Sequence, residues 1–200
     1  MAKALNKSRI QYSKLALLTA IVLMLFGREF WAHETVWHET LDFTGYFLIA
    51  ICALGRLFST AFLGGFKNDN LITYGAFSVV RNPLYFFSLI GITGIAFMTN
   101  HIAIIIGLPL FFYFLYIALI KREESFLKEK FGKKYEKYMQ EAPRLIPNFS
   151  LYHAPESITV YPNFLVNAFK DAIWWFAAFP LVELAEALHD LKILKEVIPF

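Results

Sequence analysis

Residues 84–98, LYFFSLIGITGIAFM, are followed after only Thr99-Asn100-His101 by residues 102–120, IAIIIGLPLFFYFLYIALI, and this stretch decides the fold. Both runs are apolar on the scale of a membrane-crossing helix, which needs about 20 residues. A connection of three residues forces two such helices to lie antiparallel. The sequence therefore predicts a membrane-embedded helical hairpin over about residues 84–120. Pro109 is expected to kink the second arm, a distortion that membrane helices tolerate.

Two further apolar runs, at residues 15–26 and 43–63, precede the hairpin. The basic start of the first run is also typical of a signal peptide, but the residues after it offer no small-x-small cleavage site. Residues 1–63 are therefore predicted to form two transmembrane helices. A weaker run at residues 164–184, within the C-terminal segment 148–200, is either a fifth span or a helix packed on the cytoplasmic side.

Composition agrees with a membrane protein. Hydrophobic residues make up 58% of the chain and charged residues only 18%, whereas a soluble domain keeps about a quarter of its residues charged. We therefore predict an all-α, polytopic membrane protein with four to five transmembrane helices, folded as a single membrane domain over residues 1–200. Such a protein would reside in the inner or plasma membrane of a prokaryote, or in the endoplasmic reticulum of a eukaryote.

Basic residues are concentrated before the first apolar run and again between Lys121 and Arg144. Positive charge beside membrane spans favours the cytoplasmic side and contact with anionic headgroups. The amino terminus, the 64–82 loop and the 121–162 region are therefore expected in the cytoplasm. Nucleic acid is not an expected partner, because the basic residues flank apolar spans and no DNA- or RNA-binding motif is present.

Residues 121–139 differ in kind from the spans. Leu127, Phe131, Tyr135 and Tyr138 recur at helical spacing, and lysines occupy the other faces. This pattern predicts an amphipathic helix at the cytoplasmic interface or continuing the preceding span.

The loop between the first two spans contains His33, Glu34, His38 and Glu39. The zinc-protease signature requires His-Glu-x-x-His on one helix, and here the second histidine follows the first by five residues. We therefore expect a solvated interfacial loop on the outer side and no metal site. The single cysteine, Cys52, excludes an internal disulfide and is expected to face lipid or be packed.

The hairpin should bring two polar stretches together. At about 1.5 Å per helical residue, Pro83 and Glu123 each lie one membrane crossing from Asn100. Arg81-Asn82-Pro83 and residues 121–124 are therefore expected to meet at one cytoplasmic rim. Asn82 is a favoured N-cap and Pro83 suits the first helical position.

Two adjacent acids lie at this rim. Glu124 has Lys121 and Lys128 at helical spacing and so has ordinary surface partners. Glu123 has leucines at the same offsets, and an acid at the bilayer edge without a partner is costly. Arg81 or a cationic ligand is therefore the expected partner of Glu123.

Residues 75–85, GAFSVVRNPLY, resemble the G-x-[YF]-x-x-x-R-H-P-x-Y motif of the isoprenylcysteine carboxyl methyltransferases and the related membrane phospholipid methyltransferases. Downstream, Glu123-Glu124, Phe131-Gly132, Tyr135, Tyr138 and PRLIP at residues 143–147 resemble the second block of that family. Asn82 departs from the family pattern, which has histidine there, and asparagine cannot titrate.

The resemblance implies an S-adenosylmethionine pocket within residues 75–147, at the cytoplasmic ends of the hairpin. Arg81 and Glu123 are the candidate catalytic residues. The candidate cofactor-binding residues are Tyr74, Gly75, Arg81, Asn82, Pro83, Tyr85, Glu123, Glu124, Tyr135, Tyr138, Arg144 and Pro147. A sulfonium cation is attracted by carboxylates and aromatic faces, so these residue types suit the cofactor.

Three functions remain open on the sequence. The first is methyl transfer to a lipophilic acceptor from the bilayer, such as an isoprenylcysteine carboxylate, a phospholipid amine or another small lipophilic molecule. The second is NADPH-dependent reduction, because the sterol reductases have a similar R-[HN]-P-x-Y motif and a tyrosine- and proline-rich tail. The third is a non-catalytic lipid-binding scaffold. The acidic pair at Glu123-Glu124 suits a cationic cofactor better than a polyanionic one and favours the first.

Overall fold

The computed structural model describes residues 2–31, 35–63 and 70–194, with side chains from residue 11 onward. Within these ranges every regular element is helical. The helices are α1 (Ala2–Phe26), α2 (Val36–Leu63), α3 (Ala76–Val79), α4 (Pro83–Met98), α5 (Ile102–Phe131), α6 (Lys133–Glu141), α7 (Pro162–Phe176) and α8 (Ala178–Asp190), with a short 3₁₀ turn at Phe149–Leu151. The predicted all-α class is confirmed.

Three helical stretches are long and apolar enough to cross a membrane: Val36–Leu63, Ile102–Phe131 and the combined Pro162–Asp190 stretch. Two shorter apolar helical stretches, Gln11–Phe26 and Pro83–Met98, accompany them. The chain is therefore a polytopic membrane protein. The predicted number of four to five spans includes the two shorter helices and exceeds the three that meet the length criterion.

The hairpin prediction is confirmed, since α4 ends at Met98 and α5 begins at Ile102. Asn100 adopts a positive φ of 51°, a conformation that asparagine tolerates better than most residues. Its side-chain amide donates to Asp42 Oδ1 at 2.8 Å, and the residue is completely buried. A tight turn thus joins the two arms, and a buried hydrogen bond ties that turn to α2.

The predicted amphipathic helix over residues 121–139 is not one element. Helix α5 continues to Phe131, and α6 begins only at Lys133. Gly132 separates them with φ 54° and ψ −131°, a backbone conformation that is essentially restricted to glycine. The break redirects the chain so that Tyr135 and Tyr138 of α6 are buried while its lysines stay exposed.

The chain divides into two compact units. The first comprises residues 1–47, 92–112 and 177–200. In it, Gly45 packs so closely on the Gly94 carbonyl and Met98 that a Cβ would lie 2.5 Å from each. The ring of Tyr46 meets that of Phe179 edge to face at 5.7 Å.

The second unit comprises residues 48–91 and 113–176. It contains Arg56, the one charge in the second predicted span, whose Nη1 donates to Ser88 Oγ at 2.6 Å and whose Nη2 lies 4.0 Å from Asp171. Cys52 is fully buried beneath Gly91, as one of the two sequence-based alternatives expected. A membrane helix can hold a charged side chain such as Arg56 when polar partners surround that side chain.

Candidate functional site

A cavity of about 230 Å³ opens in the second unit. It is referred to here as the hairpin cavity, and its lining residues are Leu63, Asn70, Leu71, Ile72, Phe77, Arg81, Asn82, Pro83, Leu84, Tyr85, Glu123, Phe126, Leu127, Tyr135 and Tyr138. Apolar side chains with a few convergent polar groups are the usual composition of a small-molecule site. Seven of these lining residues are among the twelve that the sequence nominated.

The segment that precedes the hairpin is shaped by Gly75. This residue has φ 61° and ψ −129°, and a Cβ at this position would lie 2.4 Å from the Phe62 ring. Only glycine meets both conditions. Its N–H donates to the His153 carbonyl at 2.7 Å, which ties the start of the segment to the downstream tail.

Two remote segments run antiparallel beside the hairpin cavity: residues 75–82, the motif segment, and residues 142–153, the tail segment. Besides the bond from Gly75, the Asn148 N–H donates to the Val79 carbonyl at 2.9 Å and the Arg81 N–H donates to the Pro143 carbonyl at 2.8 Å. These bonds satisfy backbone groups that burial would otherwise leave costly. The tail is therefore held along the motif segment without forming a regular strand.

The side chain of Arg81 joins three parts of the site. Its Nε atom donates to Glu124 Oε1 at 3.0 Å, and its Nη2 atom forms an ion pair with the same oxygen at 2.9 Å. Its Nη1 atom donates to the carbonyls of Met139 and Ala142 at 2.6 and 2.7 Å. Most of the guanidinium's hydrogen-bonding capacity is thereby engaged in fixing α5 and the end of α6.

Glu124 receives a second arginine. Its Oε2 atom accepts from Arg144 Nε at 3.0 Å and forms an ion pair with Nη2 at 2.8 Å, and the hydrogen bond raises the pKa of the Arg144 guanidinium. The carboxylate of Glu124 is 5% exposed and is shared by two ion pairs, each with one charge-assisted hydrogen bond.

The sequence-based roles of the two acids are thus exchanged. Lys121 and Lys128 were the expected partners of Glu124, and Glu123 was expected to pair with Arg81 or with a cationic ligand. Instead Glu124 is buried and paired with Arg81, whereas Glu123 lines the hairpin cavity and is half-buried. Within the described part of the chain, no basic group forms an ion pair with the Glu123 carboxylate.

Two tyrosines of α6 contribute to the lining. Burial, and secondarily the Glu124 carboxylate, raises the pKa of Tyr135 to about 12. Burial likewise raises the pKa of Tyr138, whose hydroxyl donates to the Phe77 carbonyl at 2.7 Å. Both hydroxyls are therefore protonated at neutral pH and present neutral, aromatic surfaces to the cavity.

Asn82 lies at the start of α4, as its N-cap preference predicted. Its carbonyl accepts from the Phe86 N–H at 3.1 Å, but its side-chain amide donates to the Arg144 carbonyl at 3.0 Å. The side chain therefore fixes the tail segment. One turn further, the ring of Tyr85 packs against that of Tyr116 of α5, with the centroids 5.1 Å apart and the ring planes tilted by 57°.

Five nominated residues lie outside the cavity lining. Tyr74 packs against the cluster around Phe62, and Pro147 lines a separate apolar pocket with Phe149 and Tyr152. Gly75, Glu124 and Arg144 hold the surrounding segments in place. Their contribution is to shape the cavity rather than to contact its contents.

The sequence missed eight lining residues, all of which except Asn70 are apolar: Leu63, Asn70, Leu71, Ile72, Phe77, Leu84, Phe126 and Leu127. Phe126 and Leu127 lie three and four residues after Glu123, so helical spacing from that acid would have identified them. Nothing in the local sequence marks Asn70 or Leu71, because the folding of the 70–75 segment onto α6 is a non-local event.

Comparisons with known proteins identify the family of this chain. A family model described as phospholipid methyltransferase matches residues 43–134. The chain is 30% identical over 195 residues to the cobalt-zinc-cadmium resistance protein CzcN of Cupriavidus metallidurans, a match that spans 97% of this chain and 89% of the relative. The chain belongs to the phospholipid methyltransferase family.

A second relative of this phospholipid methyltransferase family member is the nickel-cobalt-cadmium resistance protein NccN of Alcaligenes xylosoxydans xylosoxydans. It is 25% identical over 189 residues, covering 94% of this chain and 87% of the relative. No solved structure matches the chain significantly. The resemblance based on the motifs is confirmed at the level of the family, and family membership indicates a membrane methyltransferase.

Proposed function

We propose that this protein uses S-adenosylmethionine to methylate a lipophilic acceptor drawn from the bilayer. The observation that carries the proposal is the different environment of two adjacent acids, Glu123 and Glu124. Two arginines neutralise Glu124, which leaves the Glu123 carboxylate in the cavity as the group available to a cation. A half-buried acid beside apolar side chains favours a cationic ligand.

The chemistry of the lining fits the cofactor. S-adenosylmethionine carries a sulfonium and an ammonium, which Glu123 and the faces of Tyr85 and Tyr135 would attract. The adenine ring is planar and apolar enough to pack against side chains such as Ile72 and Leu127. When bound, the cofactor supplies an electrophilic methyl group to an acceptor lone pair as the carbon–sulfur bond breaks.

NADPH fits the same lining less well. A polyanionic dinucleotide needs basic side chains or helix N-terminal amides that are free to bind phosphate. Among the described lining residues the basic side chain is Arg81, and its Nε and Nη1 atoms are already bonded to Glu124, Met139 and Ala142. The reductase hypothesis therefore has little physical support in this cavity.

The residues of the site would act by positioning and by excluding water. Methyl transfer requires the acceptor, the methyl carbon and the sulfur to be in line, and it consumes the sulfonium charge. Most donors of Arg81 are engaged by Glu124, Met139 and Ala142, so it is assigned a positioning role instead of the catalytic role that the sequence suggested. Glu123 is assigned to cofactor binding.

The acceptor is proposed to be lipophilic because the cavity is bounded on one side by Leu84, Phe126 and Leu127, which belong to or adjoin membrane helices. Phe126 is also substantially exposed. An acceptor that partitions into lipid could approach this side without crossing water. The charge distribution predicts that the site faces the cytoplasm.

A second candidate function is a contribution to tolerance of divalent transition metals. The names of both relatives associate those proteins with resistance to cobalt and cadmium, one also with zinc and the other with nickel. The observation that favours it in this chain is a group of one imidazole and two carboxylates in the first unit, Glu29, His38 and Glu186. Growth of a metal-sensitive bacterium that expresses wild type or a Glu123→Gln variant would show whether tolerance depends on methyl transfer.

Equilibrium binding to the full-length protein in detergent micelles or lipid nanodiscs tests the main proposal. Wild type should bind S-adenosylmethionine saturably and NADPH weakly. Glu123→Gln should weaken binding of S-adenosylmethionine about 10- to 100-fold, the value of one charged hydrogen bond. Glu129→Gln, an exposed acid on the same helix, should bind like wild type. Tight NADPH binding, or equal affinity in all three proteins, would contradict the proposal.

A further inference from the structure

A second polar cluster lies in the first unit. It joins Glu29, just after α1, with His38 in the first turn of α2 and Glu186 of α8. His38 Nε2 lies 3.5 Å from Glu29 Oε2 and 3.7 Å from Glu186 Oε1. One ligand atom from each of the three residues lies within 4.8 Å of the other two. Two neighbouring segments and the remote helix α8 thus direct ligand-type atoms at one point.

The position of His38 differs from the sequence-based expectation. A solvated loop was predicted for this part of the chain, but His38 is 4% exposed and belongs to α2. Of the four residues that the sequence considered for a metal, His33 and Glu34 lie outside the described residues, and Glu39 is exposed. Only His38 is part of the cluster, and its two acidic neighbours come from elsewhere in the chain.

The orientation of the imidazole is set from its other side. Nδ1 lies 3.1 Å from Asp42 Oδ2, one helical turn later, and Asp42 Oδ1 accepts from the buried amide of Asn100 at 2.8 Å. A carboxylate on Nδ1 favours the tautomer with the proton on that nitrogen. The lone pair of Nε2 then points at Glu29 and Glu186.

Negative charge is concentrated at this cluster. A lone pair and two carboxylates, with side chains that are 5%, 12% and 15% exposed, would repel one another in a largely desolvated environment. Glu183 and Asp190 lie three residues before and four after Glu186 on α8, which adds negative charge along the same helix. A bound metal would relieve this repulsion, as would a proton held by one of the three groups.

We propose that Glu29, His38 and Glu186 bind a divalent transition metal of the zinc class. Ligand atoms at about 2.0–2.1 Å from a tetrahedral zinc stand about 3.4 Å apart, close to the observed separations of 3.5 and 3.7 Å. One imidazole with two carboxylates suits Zn²⁺, Co²⁺ and Ni²⁺ better than Mg²⁺ or Ca²⁺, which prefer oxygen alone. Asp42 acts as the outer carboxylate that orients the histidine.

The site has a structural consequence within the first unit. Binding would link the chain after α1 to α2 and α8, and a ligand that binds only the folded state stabilises that state. The proposal does not depend on methyl transfer, since none of these residues lines the hairpin cavity. Loss of metal binding and loss of S-adenosylmethionine binding are therefore separately measurable.

The experiment uses full-length protein in micelles, stripped with a chelator and returned to metal-free buffer. Titration calorimetry with ZnCl₂ should give one saturable site, and CoCl₂ should give the visible absorption of a low-coordinate cobalt centre. MgCl₂ and CaCl₂ should give no such site. Zinc should raise the midpoint of thermal unfolding of the stripped wild-type protein.

Isosteric variants localise the site. Glu29→Gln and Glu186→Gln should each weaken zinc binding at least about 10-fold, and Asp42→Asn about 10- to 100-fold. His38→Ala should abolish the cobalt spectrum. Glu39→Gln removes the same charge from an exposed position of α2 and should bind like wild type. Unchanged far-ultraviolet circular dichroism of every variant verifies that the protein is folded.

Three results would overturn the proposal. The first is the absence of saturable zinc binding by wild type. The second is zinc binding that survives in Glu29→Gln, His38→Ala and Glu186→Gln, which would locate the ion elsewhere. The third is metal-independent stability that falls as pH rises and does so only when His38 is present, with no stoichiometric metal, which would identify an imidazolium as the cation.

Discussion

Arg81, two residues before α4, donates through Nε to a carboxylate oxygen of Glu124 in α5 at 3.0 Å, and its Nη2 forms an ion pair with the same oxygen at 2.9 Å. The two residues are 43 positions apart, and their side chains are 7% and 5% exposed. This contact joins the ends of the two hairpin arms that are remote in sequence from Asn100. It also determines which of two adjacent glutamates remains available to the cavity.

Removing one member of this pair should destabilise the fold. Glu124→Ala leaves the Arg81 guanidinium buried without its charge partner, and breaking such a buried pair costs about 3–5 kcal/mol. Arg81→Ala should have a similar effect, because Met139 and Ala142 also lose a donor. Unfolding of the detergent-solubilised protein measures the loss, and Glu129→Ala is the control. Wild-type stability in Glu124→Ala would show that the pair contributes little.

Glycine substitutions separate backbone strain from steric conflict. Gly75→Ala would place a Cβ at a residue with a positive φ and against the Phe62 ring. Gly132→Ala would also place a Cβ at a positive φ, but with open space around it. Gly107→Ala meets neither, because no atom lies within 4 Å of the added Cβ. We expect a loss of about 1–3 kcal/mol for Gly132→Ala and more for Gly75→Ala. Gly107→Ala should be neutral or stabilising by up to about 1 kcal/mol. Equal stability of all three variants would contradict this order.

The raised pKa of Tyr135 predicts a change of stability in alkali. A tyrosine whose pKa in the folded protein is about 12, against an ordinary value of 10.0, contributes stability that is fully present below about pH 10. That contribution is lost as pH rises toward 12, because the unfolded chain releases the proton first. Tyr135→Phe cannot titrate and should lose less stability over this interval. The free energy of unfolding of the cofactor-free protein at pH 9 and pH 11 measures the difference, and identical slopes would contradict the assignment.

Asn82 should act through its hydrogen bond to the tail segment and not through proton transfer. Asn82→Ala removes the donor to the Arg144 carbonyl, which costs about 1 kcal/mol and should increase proteolytic cleavage of residues 142–153. Asn82→His restores the residue of the family motif and retains an N–H donor, so methyl transfer should persist without a new ionisation near neutral pH. A bell-shaped pH profile that appears only in Asn82→His would show that a histidine here works as a base.

The sequence predicted the hairpin because its signal is local. Two apolar runs separated by three residues allow only one connection, and helical rise then brings Arg81 and residues 121–124 to the same end. The sequence could not decide which acid would meet Arg81. Adjacent residues on a helix point about 100° apart, so a small rotation of α5 exchanges the buried position with the one at the cavity.

The break between α5 and α6 at Gly132 is a second feature that the sequence could not predict. The apolar spacing of residues 127, 131, 135 and 138 suits one continuous helix, and the sequence predicted one. A glycine within a helix is only a weak signal, and its positive φ becomes favourable once burial of Tyr135 and Tyr138 compensates for the lost helical hydrogen bonds. The change of direction at Gly132 was therefore decided by tertiary packing.

By itself the sequence determined that this chain is helical, lies in a membrane and folds back at Asn100, since hydrophobic length and loop length act over short stretches of chain. Only the tertiary structure decided that Glu124 is neutralised while Glu123 lines the cavity, and that Glu29, His38 and Glu186 meet. Those outcomes depend on helix rotation and on contacts between segments as many as 148 residues apart, as for His38 and Glu186. The free energies that select them come from burial and charge pairing, which no local pattern of residues encodes.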